Sequence, residues 1–303
     1  MVFLTILLGL MPSFLLVGLG GMLRNRLSAN AWQGLDRLNF EILFPALLFV
    51  AASGRPIAPA QVIAIAPLVW AILLAGLLAG GLARRFGPQR FLDFAGCWQT
   101  AWRFNTALGF VAVHTLSRAD VGLLAVAVGM AVPVANLFAV SALSRGNALG
   151  LRATAAKVAL NPFLLASVAG VIVGLSGWSV PAPVLAPLKM LAQAAIPVAL
   201  ISIGATMNWG ALARLDRFSA MLTGTKLVLL PALVCGTALI TGASGPLVAV
   251  LVLFAALPTA SAAHVLAAGF GANRELVATL IAQSTLLSAA TLPVWITVAE
   301  LLF

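Results

Sequence analysis

The sequence predicts an all-α membrane protein whose ten transmembrane helices form a 5+5 inverted repeat, with the fourth and ninth spans broken near their centres. Three observations predict it: a composition too apolar for water, cations that alternate between successive connections, and prolines that recur at half the chain length. Charged residues make up 8% and hydrophobic residues 62% of the 303, and mean hydropathy is +1.13. A soluble domain carries about 25% charged residues, so this chain lacks the polar surface to cover a globule. The same composition excludes a disordered chain, a coiled coil and a disulfide scaffold. A span takes about 20 apolar residues, so ten spans consume about 220 and leave no length for a soluble catalytic domain.

Apolar runs and their breaks place the spans near 2–23, 37–53, 61–83, 91–114, 120–143, 158–177, 184–207, 217–240, 246–268 and 275–302. The first has no basic lead-in and no small-residue cleavage site, and Arg24 and Arg26 follow it, so it reads as a retained helix rather than a signal peptide. The second is short, with Glu41 near its start and Pro45 in its middle, and rests on the apolar run Ile42 to Ala52. The two cysteines, Cys97 and Cys235, fall inside apolar runs, where neither a disulfide nor a metal site is expected.

The net charge of +10 would suggest nucleic acid in a soluble protein, but here the cations sit between apolar runs and no nucleic-acid partner is expected. The connections after spans 1, 3, 5, 7 and 9 hold Arg24, Arg26 and Arg37; Arg84, Arg85 and Arg90; Arg145, Arg152 and Lys157; Arg214 and Arg217; and Arg274. Those after spans 2, 4, 6 and 8 hold only Arg55, Arg118 and Lys189. By the positive-inside rule the first set is cytoplasmic, and both termini lie outside the cytoplasm. Arg103 and Lys226 escape the sorting because they lie within spans.

Pro12 matches Pro162, Pro45 matches Pro197 and Pro133 matches Pro293, at offsets of 150, 152 and 160. The predicted division is a first five-helix repeat over 1–143, a cytoplasmic linker over 144–157 and a second repeat over 158–303. Because five is odd, the second copy enters the membrane inverted, an architecture of secondary transporters with the substrate site where broken helices meet. The ninth span carries Leu257-Pro258-Thr259-Ala260-Ser261 at its centre, where proline removes a donor and clashes with the preceding turn. The fourth carries the unusually polar stretch Gln99 to Gly109. Backbone groups freed at such depth must line a cavity or be buried in protein, and half-helix N-termini there present partial positive charge to an anion.

The candidate residues follow from that crossing. Arg103 costs roughly 2.5–3.5 kcal/mol at membrane depth, and no Asp or Glu is expected at the centre of any span to pair with it, so an anionic substrate would supply the missing charge. The alternative is an arginine bonded to helix carbonyls. Lys226, in the eighth span, is either an ion-coupling group or a structural cation donating to broken-helix carbonyls. Of the two histidines, His264 lies within two turns of Pro258 and is expected to line the site, whereas His114 is near a span end. Asn105, Asn136, Thr259 and Ser261 are neutral polar groups near the breaks, where interhelical hydrogen bonding is the usual role. Gly76, Gly80 and Gly81 are expected to let one helix group slide past another.

These stretches carry a resemblance. Arg103-Phe104-Asn105-Thr106 with Gly109, Val132-Pro133-Val134-Ala135-Asn136-Leu137, Asn161-Pro162-Phe163 with Gly170, Ala195-Ile196-Pro197-Val198-Ala199-Leu200 with Gly204, Leu257 to Ser261, and Ser284-Thr285-Leu286-Leu287-Ser288 together resemble the auxin efflux carrier family along essentially the whole chain. The resemblance implies the fold of bile-acid-type symporters. Spans 1, 2, 6 and 7 would form a scaffold, and spans 3–5 and 8–10 a mobile transport domain whose fourth and ninth helices cross at the site. It places Asn105, Pro258 and Thr259 at that crossing, and implies a homodimer built on the scaffold. The missing long cytosolic loop of plant members points to a bacterial-type carrier in the inner (plasma) membrane. Two departures stand out: the fourth span lacks the crossover proline, leaving Asn105 and Gly109 to make the break, and Ala262 and His264 stand where relatives often have Asn and Tyr.

The expected function is a secondary active transporter of a small organic anion, such as an auxin-like acid, malonate or another dicarboxylate, working by elevator-type alternating access in the lipid bilayer. No phosphate-binding GxxxxGK[ST] loop is present to hydrolyse ATP. No cofactor is expected, and the coupling ion is open between Na+ and H+. No nucleophile with a base lies at a span centre, so the chain is not read as an enzyme. A channel or a ligand-sensing receptor on the same fold is the alternative.

Overall fold

In a computed structural model, the protein is described over residues 2–54, 59–116, 121–146, 159–206, 209–211 and 215–303, with residues 152, 153 and 156. Every regular element among these residues is helical. Arg55, Arg118, Lys157, Arg214 and most of the expected linker lie outside them. The described surface is inverted relative to a soluble protein: Ile240, Leu301 and Ile63 stand 89%, 78% and 76% exposed while Arg103, Lys226, Asp36 and His264 are buried. Large apolar side chains outward and charge inward is the arrangement lipid demands.

The first helix, α1 (Val2–Leu23), ends before Ser28, whose hydroxyl accepts from Ala31 N–H and starts α2 (Ala29–Leu38). The chain then widens through a π-turn at Asn39–Leu43 into α3 (Phe44–Ser53), where Phe44 N–H reaches back to Asn39 O. Pro45 explains the widening, since its ring clashes with the carbonyl four residues earlier. This rod is longer than the expected 37–53 span and starts at residue 29. Trp32, Asp36, Asn39 and Leu43 are its buried face, at helical spacing. Asp36, which the expected span of 37–53 leaves outside, is buried within this rod.

Next come α4 (Pro59–Gly81), α5 (Phe91–Trp98), α6 (Thr106–Val113) and α7 (Val121–Gly146). Asn161 caps α8 (Pro162–Ser176) through its side-chain oxygen, and Gly177 ends it at φ 69°, a left-handed conformation that glycine adopts freely. They are followed by α9 (Ala182–Thr206), α10 (Arg217–Gly224), α11 (Leu230–Thr241), α12 (Pro246–Ala256), α13 (Ala262–Gly269) and α14 (Arg274–Leu302). A second π-turn, Thr225–Leu229, joins α10 to α11 just before Pro231. Pro231 cannot donate to Leu227 O, and the Trp295 indole N–H takes that carbonyl at 2.8 Å.

Among the described residues, five rods are long and apolar enough to cross a membrane: 62–86, 122–146, 182–206, 217–241 and 274–302. Shorter apolar helices occupy 14–23, 162–176 and 246–256. The closest packing falls within two sets: α1 lies along α9 while α3 packs on α8 and α9, and α4 lies along α7 while α12 packs on α11 and α14. At the α1–α9 crossing, a Cβ on Gly204 would collide with the Val17 carbonyl and one on Gly20 with the Ile201 carbonyl, so bare backbone makes this contact. Gly76 and Gly80 face Ala101, and Gly81 faces Trp98. They seat α4 against the broken fourth span inside one set, rather than forming the sliding surface expected of them.

Candidate functional site: two helix breaks on one cavity

The fourth span stops at a tight turn, Gln99–Ala101, runs irregularly through Trp102 to Asn105 and restarts as α6. The ninth stops at Ala256 and restarts at Ala262. Pro258 forces the second break: Leu257 before it is extended at ψ 138°, as the residue preceding proline must be. No proline acts at the first. Asn105 is its cap, accepting from Leu108 N–H at 3.1 Å. Gly109 sits inside α6, where a Cβ would meet the Leu257 side chain at 2.9 Å; it admits the crossing partner and does not make the break.

Each break satisfies the other's freed backbone. Asn105 N–H donates to Pro258 O at 2.8 Å. The Thr259 hydroxyl donates to Thr100 O at 2.7 Å, and Gln99 Nε2 donates to Ala263 O at 3.1 Å. Ala255 O, which loses its helical partner at the break, accepts Lys226 Nζ at 2.8 Å. Phe104 packs its ring against Phe254, centroids 4.5 Å apart, and the Trp102 indole N–H donates to Ala135 O on α7. A buried polar group without a partner costs about 1–3 kcal/mol, so these cross-bonds hold two irregular segments together.

Beside the crossing lies a cavity of about 630 Å³. Phe14, Val17, Phe44, Leu47 and Leu200 form an apolar wall from α1, α3 and α9. The opposite wall holds Arg103, Asn105, Thr106, Asn136, Thr259, Ser261 and Thr285. The first residues of α6 and α13 both reach this wall, so two helix N-termini border one space. Arg103 donates from Nε to Gln99 Oε1 at 2.7 Å and from Nη2 to Asn136 Oδ1 at 2.9 Å. Both partners are neutral, and among the described residues no carboxylate pairs with this guanidinium.

Of the residues singled out from sequence, Arg103, Asn105, Asn136, Thr259 and Ser261 come together on the cavity. Pro258 acts through its carbonyl, behind the wall. Lys226 lies away from the cavity with its ammonium on the end of α12, and His114 is exposed at the end of α6. His264 is fully buried and, unlike the expectation, does not line the cavity: its Nε2 faces Asp36 Oδ1 at 3.5 Å. Sequence reasoning missed Asp36, Ser202, Arg274 and Gln99. The buried i, i+4, i+7, i+11 series from Trp32 to Leu43 was the available signal for Asp36. Among the described residues no three His, Cys, Asp or Glu side chains gather as a metal site.

A helical body with a few charges buried in its core, an apolar exterior and a cavity at paired helix breaks is the build of a membrane transporter. Residues 148–296 match a family described as "Membrane transport protein". The chain is 29% identical over 294 residues to the "Putative malonate transporter" of Rhizobium meliloti, spanning 93% of this chain and 92% of that one. It is 27% identical over 269 residues to an "Uncharacterized transporter" of Methanothermobacter thermautotrophicus, spanning 86% and 87%. The matched family and both relatives are described as transporters, and their similarity to this chain marks it as a membrane transporter.

Proposed function

We propose that the protein is a secondary active transporter of a small organic anion and that the carboxylate of that anion binds at the helix crossing. The observation that carries this reading is Arg103: a buried cation on a cavity wall, held by two neutral amides and flanked by two helix N-termini. Arg103 binds the carboxylate directly, Asn105 and the first N–H groups of α6 and α13 orient it, and Thr259 and Ser261 complete the polar wall. The apolar wall takes the carbon skeleton and excludes water. The relative named for malonate supports an organic acid as cargo.

Transport proceeds by an elevator movement in which the set holding both breaks slides against the set of α1, α2, α3, α8 and α9. The two packing sets and the cavity between them support this reading. A homodimer through the second set, an inner-membrane location and both termini outside the cytoplasm complete it. The test is uptake of labelled malonate, indole-3-acetate and short dicarboxylates into proteoliposomes under imposed sodium and proton gradients. Saturable uptake with counterflow is the expected result, and flux without counterflow would mark a channel. Arg103→Gln is expected to weaken binding by about 1.5–3 kcal/mol, about 10- to 150-fold in Kd. Unchanged affinity in that variant overturns the assignment of the anion site.

A further inference from the structure

The second buried polar centre lies at the seam between the two sets, away from the cavity. Asp36, on α2, is 3% exposed and is met from three other helices. Its Oδ1 accepts from the Ser202 hydroxyl of α9 at 2.5 Å and faces His264 Nε2 of α13 at 3.5 Å. Its Oδ2 accepts from Arg274 Nη1 of α14 at 2.7 Å. Ser202 Oγ is also 3.4 Å from His264 Nε2. The imidazole directs Nε2 at the carboxylate, so its neutral form carries the proton there, and among the described residues Nδ1 is left buried with no partner. The carboxylate and guanidinium balance, and the side chain of Arg274 is 25% exposed, giving the centre an edge open to its surroundings.

We propose that Asp36 and His264 form a proton-binding site that couples H+ to movement of the transport set, an inference that rests on the elevator reading above. The incoming proton adds to Nδ1 of His264, and Nε2 passes its own proton to Asp36 Oδ1. The products are a neutral carboxylic acid, a neutral imidazole of the opposite tautomer and an Arg274 released toward the open edge. Asp36 and Ser202 sit on one set, and His264 and Arg274 on the other. Parting the sets strips an ionised Asp36 of its counter-charge inside the protein, which is costly, whereas the protonated acid leaves no charge behind. His264 lies three residues beyond Ser261, so α13 ties this site to the cavity wall.

The other charged groups on the packed elements are turned elsewhere. Arg37 pairs with Glu41 in an exposed bridge, and Arg90 pairs with Asp93, which also accepts from Asn273 N–H. Glu275 on α14 and Lys189 on α9 are exposed.

The chain has two histidines, so the full-length His114→Gln protein leaves His264 as the single ring to follow by 15N NMR in nanodiscs, without any substrate. Acidification is expected to shift its ring nitrogens from the Nε2–H to the Nδ1–H pattern in one step. Asp36→Asn, added to His114→Gln, is expected to abolish the step, and Asp36→Glu to restore it. Arg274→Gln removes the cation that competes with the proton for the ionised carboxylate, so the step is expected to move away from its position in the His114→Gln protein. A ring that does not respond to pH, or a step indifferent to both Asp36→Asn and Arg274→Gln, overturns the proposal. In proteoliposomes, Asp36→Asn is expected to lose stimulation of malonate uptake by a proton gradient while keeping malonate exchange. Gradient stimulation that survives in Asp36→Asn overturns the coupling role, whereas absence of all malonate transport in a wild type whose ring shows the step counts against malonate as cargo and not against the proton site.

Discussion

The two helix breaks that meet at the cavity have similar shapes and different causes. At 257–261 the cause is local: Pro258 lacks a donor and drives Leu257 out of the helical region, so the segment would break in almost any surroundings. At 102–105 nothing in the local chemistry forbids a helix. That segment opens because Asn105 caps α6, and because its freed groups find partners across the crossing in Pro258 O and Thr259 Oγ1. One break is imposed and the other is induced, and the first supplies the acceptor and the hydroxyl that hold the second. The fold therefore needs only one strong helix breaker to build a paired site.

This asymmetry predicts a ranking of substitutions. The largest effect is expected from Pro258→Ala, because proline disfavours the continuous helix by about 3 kcal/mol and removing it lets α12 and α13 join. The joined rod would draw Pro258 O away from Asn105, so both breaks and substrate uptake should be lost together. A Pro258→Ala protein with ordinary uptake would show that the cross-bonds alone keep the ninth span open.

Next is Lys226→Met, which removes the donor to Ala255 O at the end of α12. The lost bond and the relieved burial of an ammonium offset one another, so thermal stability should stay within about 1–2 kcal/mol. Uptake or its ion dependence should change, because α12 ends beside the crossing, and identical kinetics would leave Lys226 with no part in transport. Asn105→Ala follows, with an expected cost of about 1 kcal/mol for the missing cap. Its reading is a lowered Tm together with weaker substrate binding. Smallest is Thr259→Val, which takes one hydroxyl from Thr100 O at about 0.5–1.5 kcal/mol. If Thr259→Val proves worse than Pro258→Ala, the order of cause and consequence between the two breaks is reversed.

Much of the molecule is legible in the sequence alone. Apolar run lengths place α9, α10 to α11 and α14 within about two residues of their ends, because a helix in lipid must satisfy its own backbone and so announces itself as an uninterrupted run. The polar wall of the cavity was legible for a related reason: Arg103, Asn105, Asn136, Thr259 and Ser261 stand out as polar residues in stretches that should have none. In the sequence the second span starts at 37 rather than 29 because Asn30, Gln33 and Asp36 make residues 29–36 look like a loop to any hydropathy window. Only the buried face of α2 reveals that Asp36 turns inward while Arg37 and Glu41 pair on the outside.

What the sequence determined by itself is what neighbouring residues decide among themselves: the membrane class, the helix lengths, the proline break of the ninth span and the scarcity of interior charge. The tertiary structure decided which of those charges meet. Asp36 joins Ser202 across 166 residues and Arg274 across 238, and His264 turns to that carboxylate instead of the cavity. No local pattern encodes such pairs. They follow from how the helices pack, where a charge withdrawn from water takes the best counter-charge and hydrogen bonds within reach.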